Sequence, residues 1–303
     1  MSLDADRIID RRRLKRHLIF WRIATVVSLI VVGVVALERM GKLRQEVHVA
    51  RLSVEGIILD DPWRDKALEQ VRDNDKAKAL IVRIDSPGGT VVGGEALFHG
   101  LRAMAAKKPV VAVMSGTATS AGYMAALGAE YIVAREATIT GSIGVIMQTA
   151  DMTQLLEKLG IKPESIKSGE LKAQPNPLEP FTPAAREAVK VVVLDLFEMF
   201  VGMVEKRRKI PREQVLKLAD GRVFTGRQAE KNGLVDTIGG ERKAREWLRD
   251  SFDISTKLPV KDVEIQRDDE PWRDILTGMV GKTLFSERLR LDGLISLWHP
   301  ELR

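Results

Sequence analysis

Ser120 is the residue whose surroundings most clearly allow nucleophilic chemistry. It lies in the segment Gly116–Tyr123, GTATSAGY, which consists almost entirely of small residues. The apolar run Val110–Met114 before it predicts a buried strand, and a helix is predicted to begin near Ser120. A tight strand-to-helix turn exposes a hydroxyl and leaves the next backbone N–H free to stabilise an oxyanion. Serine at a helix start is also a common N-cap, so this segment alone leaves both roles open.

A second segment, Asp85–Thr90, places two glycines between a predicted strand and a predicted helix. Its sequence is DSPGGT. Glycine permits backbone angles closed to other residues, and amides at a helix N-terminus favour negative charge. The segment is therefore a candidate phosphate or oxyanion site, with a purely structural turn as the alternative. Its spacing fits neither a P-loop nor a dinucleotide fingerprint, which disfavours a nucleotide.

A serine nucleophile needs a general base, and the histidines are poorly placed to supply one. The chain contains four histidines, His17, His48, His99 and His299. Two of them flank the apolar N-terminal segment, one lies in the C-terminal tail, and one falls within a predicted helix. A Ser-His-Asp triad therefore lacks a convincing middle member. A lysine can take that role if burial lowers its pKa toward neutrality, and the composition does not say which lysine does so.

The composition excludes several other classes of site. The 303 residues include no cysteine, so disulfides, thiolate nucleophiles and cysteine-based metal centres are excluded. Carboxylates and histidines show no ligand spacing, so we expect no metal and no cofactor. The formal net charge of +6 does not predict nucleic-acid binding, because much of it comes from one N-terminal cluster. The cluster consists of Arg7, Arg11, Arg12, Arg13, Lys15 and Arg16.

The apolar residues 18–37, LIFWRIATVVSLIVVGVVAL, follow this cluster and predict a transmembrane anchor. Their number is about what a helix rising ~1.5 Å per residue needs to cross a bilayer. The single charge, Arg22, lies near the start, where a long side chain can reach the headgroups. The run ends at Glu38-Arg39-Met40 without a small-x-small site, which favours a retained anchor over a cleaved signal peptide. The preceding basic residues predict a cytoplasmic N-terminus, with the remainder of the chain on the far side of the membrane, which in a bacterium is the periplasm.

Beyond the anchor, alternating strands and helices predict an α/β domain with a mostly parallel sheet, built from right-handed βαβ crossovers. The predicted strands are Val47–Leu59, Ala79–Ile84, Val110–Met114 and Tyr131–Ala134. The predicted helices are Lys66–Lys78, Val92–Ala106, a long helix after Thr182-Pro183, Arg212–Ala219, Gly226–Asn232 and Glu241–Asp250. The charged tail after Ser255 ends in an apolar segment, Leu289–Trp298, to which the pattern assigns no role.

Three further motifs occur in order with the SPGG and serine segments. They are TGSIGVI (Thr140–Ile146), IKSGELK (Ile166–Lys172) and DGRVFTGRQAEKNGLVD (Asp220–Asp236). The set resembles the bacterial signal peptide peptidase A family, in its short, single-repeat form with an N-terminal anchor. The similarity extends over roughly Val47 to Asp250. Each motif is modest evidence alone, but five in the same order are specific.

The resemblance implies a Clp-protease/crotonase-like fold and a Ser/Lys endopeptidase of the bacterial inner membrane, without metal or cofactor. The family's nucleophile falls on Ser120, its lysine base on Lys172, and the serine that orients this lysine on Ser142. The oxyanion donors fall on the amides of Gly89 and Ala121. Substrates are expected to be remnant signal peptides and other apolar peptides. Short members form homo-octamers with catalytic pairs built across subunits, so Lys172 is expected to serve the serine of a neighbouring copy.

The sequence departs from the family pattern at two places. The usual Ala-Ser-Gly-Gly-Tyr reads Thr119-Ser120-Ala121-Gly122-Tyr123, in which alanine still offers its amide. The usual Lys-Asp reads Lys172-Ala173 and is followed by the proline-rich Gln174–Phe181, which is expected to reshape the pocket rim.

Four regions and two alternative functions complete the sequence-based prediction. The regions are a cytoplasmic basic tail (1–17), the anchor (18–37), the peptidase domain (45–252) and a C-terminal extension (253–303). One alternative is a catalytically inactive oligomeric membrane scaffold of the same fold, against which the presence of Ser120, Ser142 and Lys172 argues. The other is a crotonase-type acyl-CoA enzyme, which would be soluble and would use carboxylates.

Overall fold

The computed structural model describes residues 18–33, 46–267 and 294–297. The chain divides into two compact units, Met1–Val47 and His48–Arg303. The first unit holds helix α1, residues 18–33, whose apolar side chains, including Trp21 and Leu29, are exposed. Among the described residues, no helix is both long and apolar enough to cross a membrane. Residues 34–37 and the predicted tail 1–17 lie outside the described residues, so the anchor stays a prediction.

The second unit is an α/β domain. Its strands are β1 (His48–Ile58), β2 (Ala77–Thr90), β3 (Val110–Thr119), β4 (Tyr131–Ala134), β5 (Ile139–Gly141), β6 (Ile146–Met147), β7 (Val223–Thr225), β8 (Thr237–Ile238), β9 (Val260–Asp262) and β10 (Leu294–Leu297). Its helices are α2 (Pro62–Asp73), α3 (Val91–Ala105), α4 (Ala121–Ala126), α5 (Thr153–Lys158), α6 (Pro183–Arg208), α7 (Arg212–Leu218), α8 (Gly226–Lys231) and α9 (Glu241–Phe252). The alternation confirms the predicted fold class.

The strands form one mixed sheet in which most pairs are parallel. Strands β9, β1, β2, β3, β4 and β8 pair in parallel in that order, and β5 extends β3 in parallel. Strand β7 is antiparallel to β5, and β10 is antiparallel to both β2 and β6. The predicted parallel sheet is therefore confirmed, with antiparallel additions at the end where the serine lies.

Both faces of the central strands are buried, which explains their continuous apolar sequence. Along β2, Leu80 and Val82 belong to the larger core cluster, while Ala79 and Ile81 belong to a smaller one. The smaller cluster is closed by helix α9. Each fully buried aliphatic side chain stabilises the fold by about 1.5–3 kcal/mol, so this core holds the strand ends that carry the site rigidly.

The predicted glycine turn at Asp85–Thr90 is wrong, because β2 runs extended through it to Thr90. The ladder with β1 continues as far as Gly89, which pairs with Ile58. A Cβ at Gly89 would lie 1.9 Å from the backbone oxygen of Ile58, so only glycine fits so close to the neighbouring strand. Pairing across the sheet, which local sequence does not reveal, overrides the turn signal of the two glycines.

Two predicted helices illustrate how capping sets helix ends. Helix α6 begins as predicted, with the Thr182 hydroxyl accepting the Ala185 N–H at 3.2 Å. Helix α2 begins earlier than predicted, because the Asp61 carboxylate accepts the Trp63 N–H at 3.1 Å. It ends at Asp73 rather than at Lys78, and β2 starts a few residues later.

Candidate active site

Ser120 occupies a strained turn between β3 and α4. Its backbone angles are φ 56° and ψ −119°, a region that non-glycine residues rarely adopt. The Ser120 N–H donates to the Gly141 oxygen at 2.9 Å, and the Ser120 carbonyl accepts the Met124 N–H at 2.8 Å. Its side chain makes no capping hydrogen bond to α4. The capping role that the sequence left open is therefore wrong, and the predicted strand-to-helix turn is confirmed.

Small residues make this turn possible. A Cβ at Gly122 would lie 3.0 Å from the Ser86 backbone oxygen, and one at Gly94 of α3 would lie 2.9 Å from the Ala121 Cβ. Helix α4 thus packs directly on the end of β2 and on α3. All residues from 118 to 129 are buried. The position of the serine is consequently fixed by close packing on every side.

Tyr123 links helix α4 to the segment that follows helix α8. Its side chain is fully buried, and its hydroxyl donates to the Leu234 oxygen at 2.9 Å. Burial raises the pKa of Tyr123, so the phenol keeps its proton and remains a hydrogen-bond donor. In the sequence, this tyrosine stands only as the last residue of the GTATSAGY segment. Its polar group within a small apolar segment was the available signal of a structural role.

Two hydroxyls that sequence reasoning missed hold the glycine segment beside the serine turn. The Ser86 hydroxyl donates to the Gly56 oxygen at 2.6 Å and accepts the Gly88 N–H at 3.1 Å. The Thr119 hydroxyl donates to the Pro87 oxygen at 2.9 Å. These bonds hold the segment that contains Pro87 against Thr119, the residue before Ser120. Gly89 and Ala121, the predicted oxyanion donors, therefore lie on two segments in direct contact.

Ser142 lies beside the same turn. It directly follows Gly141, which pairs with Thr119 across β3 and β5 and accepts the Ser120 N–H. Ser142 has a φ of 49°, and its N–H donates to the Arg222 oxygen at 2.8 Å. The structure thus brings together Ser120, Ser142 and the two segments that carry the predicted oxyanion donors.

Lys172 belongs to an exposed segment, unlike the buried residues of the serine turn. It falls in residues 148–182 between β6 and α6, which we call the arm, and its backbone N–H donates to the Gly169 oxygen at 3.1 Å. The Lys172 side chain is exposed, and within the described residues it makes no hydrogen bond or ion pair. The structure of one chain therefore gives the predicted base no partner, and its role stays a prediction.

The arm exposes many apolar side chains. No residue from 146 to 184 is buried. The exposed apolar residues of the arm are Met152, Leu155, Leu159, Ile161, Ile166, Leu171 and Leu178. Val191, Val192 and Leu194 continue this apolar surface onto the first half of α6. The arm and the first half of α6 therefore share an unusually high density of exposed apolar side chains.

An apolar cavity of about 230 Å³ opens where the arm meets β6 and α6. It is lined by Met147, Leu171, Gln174, Ala185, Ala188, Val189 and Val192. Met147 also pairs with Leu294 of β10. The cavity therefore adjoins a site at which an extended strand is held.

The site places this protein in the class of serine hydrolases. Residues 102–255 match the family described as peptidase family S49. A putative protease of Synechocystis sp. is 39% identical over 201 residues, covering 66% of this chain and 72% of that protein. Serine protease SPPA, chloroplastic, of Arabidopsis thaliana is 34% identical over 232 residues, 75% of this chain and 34% of that protein.

The match to the family extends over half of the chain. The chain belongs to peptidase family S49, the signal peptide peptidase A family that its motifs predict, and it is a serine protease. It spans only about a third of the Arabidopsis relative. The family match confirms the predicted enzyme class over the acyl-CoA alternative.

One solved structure matches part of the chain. A ClpP1 mutant from Listeria monocytogenes matches with a TM-score of 0.42 and 18% identity, over 64% of this chain and 92% of that chain. The Clp-protease/crotonase-like form of the fold stays a prediction. The α/β class rests instead on the sheet topology.

Proposed function

We propose that this serine protease is an endopeptidase whose nucleophile, Ser120, is activated by Lys172 of a neighbouring copy. The proposal rests on the difference in burial between these two residues. Ser120 is 1% exposed and held at a positive φ by its own fold. Lys172 is presented on an exposed arm that lacks buried residues.

Each chemical step is assigned to a group of this site. The uncharged amine of Lys172 takes the proton of Ser120 as the hydroxyl oxygen attacks the peptide carbonyl. Amides of Gly89 and Ala121 stabilise the resulting oxyanion, and one such donor is commonly worth about 10²–10³ in kcat. The ammonium then protonates the leaving amine, and water releases the acyl group from the serine. Ser142, beside Ser120, positions the lysine.

A neighbouring copy is needed because the lysine must lose water to act as a base. An exposed amine keeps its proton, whereas a desolvated one gives it up more readily. The exposed apolar residues of the arm and of α6, such as Ile166 and Val191, supply a surface for packing a second copy. Such packing desolvates Lys172 and delivers it to another site. A closed ring of eight copies is the predicted form.

The proposed substrates are apolar peptides in extended conformation, including remnant signal peptides. Support comes from β10, which shows that the groove between β2 and β6 accepts an extended strand. Support also comes from the largely apolar cavity beside Met147, which suits an aliphatic side chain. The predicted location is the bacterial inner membrane, with the catalytic domain in the periplasm. The exposed apolar helix α1 and the basic cluster before it are the reasons for that location.

Complementation between inactive copies tests the shared site. Ser120→Ala and Lys172→Ala are each expected to abolish cleavage of an apolar reporter peptide while assembly is preserved. Co-expression of the two variants should restore about a quarter of wild-type activity, because one interface in four of a random ring pairs an intact serine with an intact lysine. Lys162→Ala, an exposed lysine on the same arm, is the control and should retain full activity.

The outcomes separate the possible functions. An inactive mixture of two correctly assembled variants means that the dyad, if any, lies within one copy. Normal turnover by Ser120→Ala or Lys172→Ala alone would end the Ser/Lys assignment. An assembled wild-type chain that cleaves no peptide and is not acylated at Ser120 by a serine-directed probe would support the inactive scaffold.

A further inference from the structure

The C-terminal end of α4, the helix of the serine turn, is held by arginines from two other helices. Arg207, in the last turn of α6, donates from Nε to the Leu127 oxygen at 2.9 Å and from Nη2 to the Ala129 oxygen at 3.0 Å. Arg102 of α3 donates to the Gly128 oxygen at 3.3 Å. Three consecutive carbonyls, at the end of α4 and directly after it, therefore accept hydrogen bonds from guanidinium groups.

The guanidinium group of Arg207 needs these acceptors because it has lost part of its water. Burial lowers the pKa of Arg207, and the charge of Arg102 lowers it further. An arginine nevertheless keeps its proton in a protein, so the group remains a charged donor. Its planar fork reaches both carbonyls in a fixed geometry, which the flexible amine of a lysine does not reproduce. The two hydrogen bonds from Arg207 therefore fix the position of the chain at the end of α4.

Helix α4 is short and stiff, so a shift at one end moves the other end. Its six residues, Ala121–Ala126, span about 9 Å at ~1.5 Å per residue. Ser120 directly precedes the helix, and the Ala121 amide is a proposed oxyanion donor. Close packing on β2 and α3 holds the sides of the helix near Ser120. A misplacement of about 1 Å at a reacting group can cost about 10²-fold in rate, so this end of the helix tolerates little movement.

Arg207 belongs to the part of α6 that is fixed to the core. The buried residues in this half of α6 all join the larger core cluster, and they are Phe200, Val201, Met203 and Val204. The next residue, Arg208, donates to the two carboxylate oxygens of Asp236 at 2.9 and 2.7 Å and to the Gly233 oxygen at 2.8 Å. The C-terminal end of α6 is thus held independently of α4, and Arg207 joins α4 to a fixed part of the domain.

We propose that Arg207 is a positioning residue for the reaction, which sets the place of Ser120 and of the Ala121 amide by holding α4 at its opposite end. This rests on the proposed function for the nucleophile and the oxyanion donor. Arg207 hydrogen-bonds neither of them, so its effect on the reaction passes through the backbone of α4. Loss of its two hydrogen bonds should leave the substrate groove unchanged and shift the groups that act on the peptide carbonyl.

Kinetics of variants at the end of α6 test the proposal in the full, assembled chain. Arg207→Ala removes both hydrogen bonds and should lower kcat for an apolar reporter peptide about ten- to a hundredfold, with KM within about twofold of wild type. Arg207→Lys keeps the charge without the planar fork and should give a smaller but measurable loss. Lys206→Ala removes the charge of the exposed neighbouring residue and is the matched control, expected within about twofold of wild type.

Two measurements separate positioning from a merely structural role. The kcat is expressed per reactive serine, counted by complete acylation of Ser120 with a serine-directed probe, so an unfolded fraction does not lower it. A lower melting temperature of Arg207→Ala with a wild-type kcat on this scale would make Arg207 purely structural and overturn the proposal. The pH profile of kcat should keep its midpoint in Arg207→Ala, because the base is unchanged. A shifted midpoint would mean that Arg207 acts on the charge of the base, which also contradicts positioning.

The same series distinguishes this inference from the proposed function. A wild-type chain that is not acylated at Ser120 contradicts the proposed nucleophile. If the wild type is acylated and cleaves the peptide, but Arg207→Ala turns over as fast as Lys206→Ala, only the positioning role is overturned. If Arg207→Ala does not assemble, Arg207→Lys decides alone, and a wild-type kcat in that variant overturns the proposal.

Discussion

The serine turn and the arm are opposite kinds of structure within one domain. Every residue from 118 to 129 is buried, whereas none from 146 to 184 is. The serine turn is held by side-chain packing and by the Thr119 and Tyr123 hydroxyls, each of which has an acceptor. The arm instead exposes apolar side chains and Lys172, whose side chain has no partner among the described residues. A single chain therefore holds Ser120 in a buried, packed turn, whereas in the proposed assembly a second copy covers the arm that carries Lys172.

Because of this difference, substitutions in the two regions should affect different properties, namely the stability of one copy and the assembly of several copies. A change in the serine turn should lower the free energy of unfolding of each copy, because it removes packed contacts. A change in the arm should leave that free energy nearly unchanged and act on association and turnover. The following predictions test the separation, from the largest effect to the smallest.

The largest effect on stability is expected from truncation beside the serine. Met124 is fully buried in α4, and Met124→Ala should lower the free energy of unfolding by about 2–5 kcal/mol. Ile166→Ala, at a residue that is 99% exposed, should change it by less than about 0.5 kcal/mol. Chemical denaturation of both variants, at a concentration at which the chain is monomeric, measures the difference. Similar losses in the two variants would show that the arm is part of the folded core.

The next effect is expected on assembly. Ile166→Glu places a charge on the apolar surface of the arm and should shift the particle toward smaller species, as measured by light scattering. Peptidase activity should fall about tenfold or more, because burying an unpaired charge at an interface costs several kcal/mol. Lys162→Glu places the same charge at an exposed polar position of the arm and is the control. Full assembly of the Ile166→Glu chain would remove the arm from the proposed interface.

The sequence predicted the serine turn better than the surroundings of the lysine, and the reason is physical. The turn needs small residues at particular positions, and GTATSAGY displays them directly. The prediction of a turn at the glycine segment was wrong, because this segment continues strand β2. That continuation depends on pairing with β1 rather than on local backbone preference. The Ser-Gly-x-x-Lys motif located Lys172 by resemblance. Its distance from Ser120 depends on how the arm folds, and sequence spacing carries no such information.

Catalysis should depend on pH in the direction that a lysine base requires. Only the uncharged amine can accept the serine proton, so log kcat/KM should rise with pH with a slope of about 1 until the amine is neutral. A pH series with an apolar reporter peptide measures it, with the stability of the assembly checked at each pH. A flat profile from mildly acidic to alkaline pH contradicts a lysine base.

The smallest effect is expected within the arm itself, at Glu179. Its carboxylate accepts hydrogen bonds from the Lys167 amine and from the Gln174 amide, the latter at 2.7 Å, so it joins the motif that carries Lys172 to the proline-rich segment. The hydrogen bond from Lys167 is the main cause that lowers the pKa of Glu179 below its ordinary value of 4.5. A lowered pKa in the folded state means that the stabilisation is present above the ordinary pKa and is lost as pH falls through the lowered one.

The pair is half-buried and lies in an arm without buried residues, so its contribution to global stability should be small and salt-dependent. Glu179→Gln should therefore leave the melting temperature within about 1 °C of wild type, since such pairs contribute little. It should nevertheless speed amide hydrogen exchange in residues 165–180 and lower activity a few-fold, because the loop that carries Lys172 becomes less ordered. Exchange in the serine turn, residues 118–129, should not change. Faster exchange in both regions would mean that the arm and the serine turn do not order independently, and the contrast between them would fail.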